Sequence, residues 1–334
     1  MSRLPGTGRI VTVFGGSGFI GRYVTQRMAR AGWRIRVAVR RPNEALFVRP
    51  YGYVGQVEPI QANIRDEAST RAAIVGADAV INCVGILVAS GKQQFDTVQA
   101  EGAGRIARLA AAEGVRSLVH ISAIGADPES DSDYGRSKAV GEAAVREAFP
   151  AAVILRPSVV FGNEDEFFNR FAAMTRFSPI LPVVGPDTRF QPVYVDDVAA
   201  AAERATVEGA EPGIYELGGP TVETFEQLMR RMLEVIERRR AVVAIPFWAA
   251  RLQGRTLDFL QSISFGLFTN SLLTADQVRQ LSRDNVVSEG ARTFRDLGIS
   301  PTPMDSVLES YLYSFRRNGQ YATMMASARN LRER

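Results

Sequence analysis

Residues 10–21 read Ile10-Val11-Thr12-Val13-Phe14-Gly15-Gly16-Ser17-Gly18-Phe19-Ile20-Gly21. Ile10 to Phe14 is an apolar, β-branched run closed by glycine, which predicts a buried strand. Gly15, Gly18 and Gly21 follow at three-residue spacing. Ile20, Val24, Met28 and Ala31 then recur at helical spacing, so a helix is expected to start near Gly18. Strand, glycine turn and helix start together make a phosphate cradle. The glycines let the backbone turn tightly and approach a pyrophosphate, and the N–H groups of the helix start face its negative charge. A glycine triplet is weak on its own, and the flanking strand and helix give it its weight.

Outward from this stretch, strand and helix keep alternating. Trp33–Val39 predicts a second strand, Gln56–Gln61 a weak third, Ser69–Val75 a helix and Ala79–Val84 a fourth strand. Val98–Glu113 predicts an alanine-rich helix, Val115–Ser122 a fifth strand and Ala152–Leu155 a sixth. Alternation at this rate implies an α/β fold, a Rossmann-type doubly wound parallel sheet. Beyond it the rhythm loosens. Pro179, Pro182 and Pro186 mark an irregular stretch, Gln191–Val198 a short strand entering a helix, Gly213–Leu217 a strand and Phe225–Arg238 an amphipathic helix.

The expected organisation is a nucleotide-binding domain over 8–160, with interleaved contributions from 186–220, and a smaller C-terminal α/β lobe over 161–315. Within that lobe, 241–273 is rich in large apolar groups with Arg251 and Arg255 interspersed. It reads either as a helical cap over the lobe or as a surface for a partner or a membrane interface. The basic tail, 316–334, is expected to order only against a partner.

Composition narrows the chemistry. The 334 residues are 46% hydrophobic and 23% charged, which suits a globular protein with a sizeable core. A single cysteine, Cys83, and a single histidine, His120, leave no disulfide framework within the chain and argue against an iron–sulfur cluster or a His/Cys zinc site. No metal site is expected, so any redox chemistry must use an organic cofactor. The net charge is +4 and the arginines are spread along the chain, with no aromatic-interleaved basic patch, so no nucleic acid is expected as a partner. The position of the first strand leaves no room for a signal peptide, and no apolar stretch is long enough to span a bilayer. A protein kept in a cytoplasm is the expectation.

In this fold the end of the second strand, about twenty residues past the glycine loop, meets the adenosine ribose. A carboxylate there suits NAD and a basic residue suits the 2′-phosphate of NADP. This chain has Arg40-Arg41 and no acid until Glu44, which favours NADP(H) over the plainer reading of a solvated surface pair. Asn63-Ile64-Arg65-Asp66 falls where the fold holds the adenine edge. Cys83-Val84-Gly85 ends the fourth strand in a small turn with room for ribose and pyrophosphate. Cys83 itself reads as a buried small hydrophobe and His120 as a satisfied core histidine.

Tyr134 and Lys138 are one helical turn apart and share a face, and Ser122 ends the fifth strand. Such a trio can do acid–base work at a carbinol or carbonyl carbon. The lysine is expected to lower the tyrosine pKa and hold ribose hydroxyls, the tyrosine to exchange a proton with a substrate oxygen, and the serine to hydrogen-bond that oxygen. Only Lys92 and Lys138 are lysines in this arginine-rich chain, and arginine, bulkier and planar, cannot fill this role.

Gly15-x-x-Gly18-x-x-Gly21, Ser122, Tyr134-x-x-x-Lys138 and Arg156-Pro157-Ser158 resemble the extended and atypical short-chain dehydrogenase/reductase superfamily over about residues 8–240. A narrower set resembles one atypical branch: Val48–Gln56, Tyr134–Glu142, Phe161–Asp165, Met174–Ile180 and Gln191–Val195. That branch is the NADPH-binding accessory subunit of respiratory complex I, NADH:quinone oxidoreductase. The resemblance implies a non-catalytic protein that holds NADPH and supports the peripheral arm near the membrane and quinone site. It implies other complex I subunits as partners, a lipid headgroup contact, and a place on the cytoplasmic face of a bacterial inner membrane.

The resemblance also implies roles for residues. Gly15, Ser17, Gly18, Phe19, Ile20 and Gly21 would hold the pyrophosphate, and Arg40 with Arg41 the 2′-phosphate. Asn63, Ile64, Cys83, Val84, Gly85, Pro157, Ser158 and Val159 would line the cofactor, with Tyr134 and Lys138 at its ribose and nicotinamide side. Ser122, Tyr134 and Lys138 are all intact. An active NADP-dependent reductase or epimerase acting on a small hydroxyl- or carbonyl-bearing substrate therefore stays open as the alternative.

Overall fold

The structure, a computed structural model, describes residues 8–317 except 90, 92, 251 and 253–273, together with residue 319. Six strands follow the alternation read from the sequence: β1 (Ile10–Phe14), β2 (Arg34–Val39), β3 (Val57–Gln61), β4 (Ala79–Asn82), β5 (Ser117–Ile121) and β6 (Val153–Pro157). With the strand Gly213–Leu217 they form one parallel seven-stranded sheet in the order β3-β2-β1-β4-β5-β6-(213–217). The chain order reverses at β1, between β2 and β4, so a crevice opens beyond the carboxyl ends of these strands.

Helices cover both faces of the sheet, which is why its strands are apolar on both sides. On one face, α1 (Phe19–Arg30) and the helix Val195–Arg204 bury Val24, Met28, Val198 and Ala202 against Val11, Val13, Ile35 and Val37. Arg27 ties these two helices together through Asp196 at 2.7 Å and Glu203 at 3.1 Å. On the other face, α2 (Glu67–Ile74), α3 (Glu101–Ala112) and α4 (Asp133–Ala148) bury Ile74, Ile106, Leu109 and Val145 against Phe14, Val80 and Leu118. Each such fully buried aliphatic side chain contributes roughly 1.5–3 kcal/mol. Thr12, turned toward α2 from the centre of β1, satisfies its hydroxyl on the Ala73 carbonyl at 2.7 Å.

A third core lies in the second half of the chain, where Phe161, Phe168, Phe225, Leu228, Met232, Leu308 and Leu312 pack together. The amphipathic helix there spans Phe225–Val235 and starts in a reciprocal cap between Thr224 and Gln227. The proline-marked stretch is more regular than its sequence suggests. Ile180–Val184 is a strand, paired in parallel with Ala241–Ile245, and Pro182 sits opposite Val243. In a two-stranded ladder every strand is an edge strand, so a missing N–H is tolerated. Of the apolar stretch 241–273, residues 251 and 253–273 lie outside the described residues, as do 318 and 320–334 of the tail. Among the described residues no helix is long and apolar enough to cross a membrane.

Candidate functional site

The glycine turn closes the crevice at the end of β1. Gly15 has φ +71°, and its N–H donates to the Ala38 carbonyl at 3.0 Å. A Cβ there would lie 3.2–3.3 Å from Val84 and the Cys83 backbone, so left-handed geometry and close approach both call for glycine. The Gly18 N–H donates to the Gly15 carbonyl at 2.9 Å and sets the start of α1. Gly21 lets the helix lie directly on the turn, since its Cβ would stand 2.1 Å from the Gly15 oxygen. Among the described residues no side chain caps α1, and its first turn carries no acid. The N–H groups of Phe19, Ile20 and Gly21 therefore point as donors toward the crevice. The Ser17 carbonyl accepts from Arg22 at 3.4 Å.

Arg40 and Arg41, just past β2, are both exposed. Arg41 pairs with Glu44 at 3.0 Å. Arg40 makes no ion pair among the described residues, so the acid of this segment is committed to its neighbour. Asn63 is held in a tight loop, its side-chain oxygen accepting from the Arg65 N–H at 3.2 Å and its carbonyl from the Thr70 hydroxyl at 3.1 Å. Ile64 is buried against Gly102, where a Cβ would come within 2.7 Å of it.

At the end of β4, the Asn82 oxygen accepts from the Val84 N–H at 3.1 Å, and the Cys83 N–H donates to the Phe14 carbonyl at 2.9 Å. Cys83 is half-buried against the core rather than fully buried, and desolvation pushes its thiol up to about 12. Gly85 brings this turn against Lys138, whose Nζ would lie 3.4 Å from a Cβ at that position.

The other end of the crevice holds the trio. Ser122 is buried, and its hydroxyl has no partner among the described residues. Tyr134 lies in the first turn of α4 with its ring edge-on to Phe95 at 6.0 Å. Lys138 is 4% exposed; its Nζ donates to the Ile121 carbonyl at 3.4 Å and stands 5.8 Å from the Tyr134 ring centre. Burial pulls the lysine down to about 8, opposed by the Glu142 carboxylate. Burial also pushes Tyr134 up to about 12. The lowering of the tyrosine by the lysine that the sequence led us to expect is not found; desolvation of the phenolate sets the direction. His120 meets Asn82 at 3.1 Å through Nδ1, but its Nε2 has no partner among the described residues, and burial holds it neutral, down to about 3. It is a core histidine satisfied at one nitrogen.

Pro157, Ser158 and Val159 sit at the end of β6 and are committed within the chain. The Ser158 hydroxyl donates to Asn285 at 2.6 Å and the Val159 N–H to the same side-chain oxygen at 3.1 Å. Asn285 is a residue that sequence reading missed. So is the buried triad behind α4. Arg156 donates to Glu142 at 2.9 and 2.6 Å and stands 3.5 Å from Glu216. Glu142 lies four residues after Lys138, on the same helical face, and a carboxylate on so buried a face needs a cation. That spacing was the one available signal.

The left-handed glycine cradle, the uncapped helix start and the unpartnered Ser122 hydroxyl fit a dinucleotide laid across the carboxyl ends of the strands. This arrangement defines a dinucleotide-binding protein of the Rossmann type. Residues 11–218 match the NAD dependent epimerase/dehydratase family, and the chain belongs to that family, in the branch that holds the alpha subcomplex subunit 9 of NADH dehydrogenase. It is 34% identical to NADH dehydrogenase (ubiquinone) 1 alpha subcomplex subunit 9 of Arabidopsis thaliana, over 94% of this chain and 79% of the plant protein. It is 31% identical to a ceramide reductase of Caulobacter vibrioides, over 76% of this chain and 79% of the bacterial protein. The solved structure of the Escherichia coli quinone oxidoreductase QOR2 with NADPH covers 90% of this chain and 98% of its own, with a TM-score of 0.68 at 19% identity, a likeness of fold.

Proposed function

We propose that this chain is an accessory, non-catalytic subunit of respiratory complex I that holds NADPH as part of its structure. Its partners are then other subunits of the peripheral arm, and its place is the cytoplasmic face of a bacterial inner membrane, with a lipid headgroup contact near the membrane end. The observation that carries this reading is the reach of the similarity to the plant subunit. It extends over 94% of the chain, well past residue 218, where the nucleotide-binding family match ends. Arg40, without an ion pair among the described residues, supports NADPH over NADH, since a 2′-phosphate needs a cation with no prior carboxylate partner. The organisation proposed with it is a nucleotide domain over 8–160 with 186–220 interleaved, a lobe over 161–315, and a tail over 316–334.

In this reading the donors of Phe19, Ile20 and Gly21 bind the pyrophosphate, Arg40 binds the 2′-phosphate, and Lys138 and Tyr134 hold the nicotinamide ribose. The test is a native gel of detergent-solubilised membranes, followed by mass spectrometry of the NADH dehydrogenase band. This chain is expected in that band with NADPH bound, and its complete absence there overturns the proposal.

A second reading, an NADP-dependent reductase, is favoured by the unpartnered Ser122 hydroxyl and by the likeness to the Caulobacter ceramide reductase. Bound NADPH would supply the hydride. Ser122 would orient the substrate oxygen and Tyr134 would hold the proton it exchanges. Tyr134→Phe would then abolish turnover of a hydroxyl- or carbonyl-bearing substrate while NADPH stays bound. Retention of every cellular function by that variant rules against turnover.

A further inference from the structure

The helix that carries Tyr134 and Lys138 is not capped by its own sequence alone. At the N-cap the Ser132 hydroxyl accepts from the Gly135 N–H at 3.3 Å. The two N–H groups before it, of Asp133 and Tyr134, donate instead to the Asp276 carboxylate, at 2.7 and 3.3 Å. The Ser132 hydroxyl donates to the same carboxylate at 2.8 Å. Asp276 thus takes three bonds from the start of α4, where a negative charge is also favoured by the helix dipole. Its own placement is fixed. It lies in the short helix Ala275–Gln280, which Thr274 and Gln277 cap reciprocally, and Gln280 donates to it at 3.0 Å. Its side chain is only 12% exposed.

The segment around Asp276 also grips the rest of this end of the crevice. Arg283 pairs with Asp127 at 3.3 Å and with Asp131 at 3.6 Å, on the loop between β5 and α4. Asn285 takes the Ser158 hydroxyl and the Val159 N–H, and its Nδ2 donates to the Ile124 carbonyl at 3.4 Å. The strap 274–285 therefore runs along the carboxyl ends of β5 and β6 and holds the first turn of α4 from outside the sheet.

We infer that Asp276 is a positioning residue for the nicotinamide end of the site, fixing the first turn of α4 and with it Tyr134 from the C-terminal lobe. The inference rests on the reading that the crevice holds NADPH. Lys138 has a second anchor in the Ile121 carbonyl, one turn further on, so the tyrosine depends on Asp276 more than the lysine does. Among the described residues, Asp276 bonds or pairs with Ser132, Asp133, Tyr134, Arg279 and Gln280, none of them in the adenine half of the site at Gly15–Gly21, Arg40 and Asn63.

The test uses the full chain and two ligands, NADPH and its adenine half, 2′,5′-ADP. Asp276→Ala is expected to weaken NADPH binding about tenfold, as loss of charge-assisted bonds does, and to leave 2′,5′-ADP binding unchanged. Asp276→Asn, which keeps one acceptor, should fall between and serves where the alanine variant does not fold. Unchanged NADPH affinity in both variants overturns the inference, and so does an equal loss for both ligands, which marks general destabilisation. Amide hydrogen exchange decides independently of the cofactor. Asp133 and Tyr134 should exchange faster in the variants while the first turn of α1 does not, and equal protection overturns the positioning role. If the unaltered chain binds neither ligand, the NADPH reading fails, and the exchange result still judges Asp276.

Discussion

At one end of the crevice, Gly18 bonds to Gly15, three residues away, and a Gly21 Cβ would meet that same Gly15. At the other end, Asp133 bonds to Asp276 across 143 residues and Ser158 to Asn285 across 127. The first end is a backbone device, defined by where side chains cannot be. The second is a helix held by buried charge and by contacts from a distant segment. The first end therefore owes little to the C-terminal lobe, whereas the second inherits whatever disturbs that lobe.

The largest effect is expected behind α4. Arg156→Met takes the paired guanidinium from the Glu142 and Glu216 carboxylates, 3% and 7% exposed, and leaves Glu142 only the longer-range attraction of Lys138. Breaking a buried ion group this way costs about 3–5 kcal/mol, read as a lower urea midpoint. Glu142→Gln and Glu216→Gln added to Arg156→Met should restore most of it. If the triple variant is no more stable than the single one, the triad acts through packing rather than charge.

Lys138 gives the next effect, with a defined sign. Its pKa falls from 10.5 in the unfolded chain to about 8 in the fold, because burial disfavours the ammonium. Below pH 8 both states hold the proton, and the burial penalty is present in full. As pH rises from 8 to 10.5 the folded state sheds its proton first, so stability rises, by about 3 kcal/mol over that window. Lys138→Met should be more stable than the parent at pH 7, lose that slope between pH 8 and 10.5, and bind NADPH more weakly. A parent chain with no such slope shows that the ammonium is solvated in the fold.

The contrast between the two ends also explains what could be read from sequence. Strand, turn and helix at 10–30 are local, and apolar spacing with glycine placement fixes them without reference to the rest of the chain. The Tyr134/Lys138 spacing is local too, and the helix carries it intact. Asp276 and Asn285 lie in a segment with no periodicity, and their partners become neighbours only once the sheet has formed. The strand Ile180–Val184 was hidden for a similar reason. Prolines mark it as irregular, and only its partner Ala241–Ile245 makes it a strand. The triad stood between: Glu142 and Arg156 both lie in motifs quoted from the sequence, but nothing there pairs them with each other or with Glu216.

At the glycine end the expected losses are smaller and steric. Gly21→Ala sets a Cβ 2.1 Å from the Gly15 oxygen, and overpacking there should cost about 2 kcal/mol even after the helix-propensity gain. At Gly18 the same atom would stand 3.2 Å from that oxygen, so Gly18→Ala should cost clearly less. Equal urea midpoints for the two variants would falsify the steric account of the cradle.

The smallest effect separates two adjacent arginines. Arg41 already pairs with Glu44, and exposed pairs of this kind are worth little, so reversing its charge removes nothing a phosphate depends on. Arg40 has no such partner among the described residues, and it follows β2, where in this fold a 2′-phosphate would need a cation. Arg40→Glu should therefore weaken NADPH binding about tenfold while sparing NADH, and Arg41→Glu should shift both cofactors alike and only slightly. Titrations of the two variants with both cofactors check this at constant ionic strength, since salt screens exposed charges. An unchanged NADPH-to-NADH ratio in Arg40→Glu moves the 2′-phosphate away from β2. A larger change in Arg41→Glu would mean that Glu44 yields its partner when the phosphate arrives.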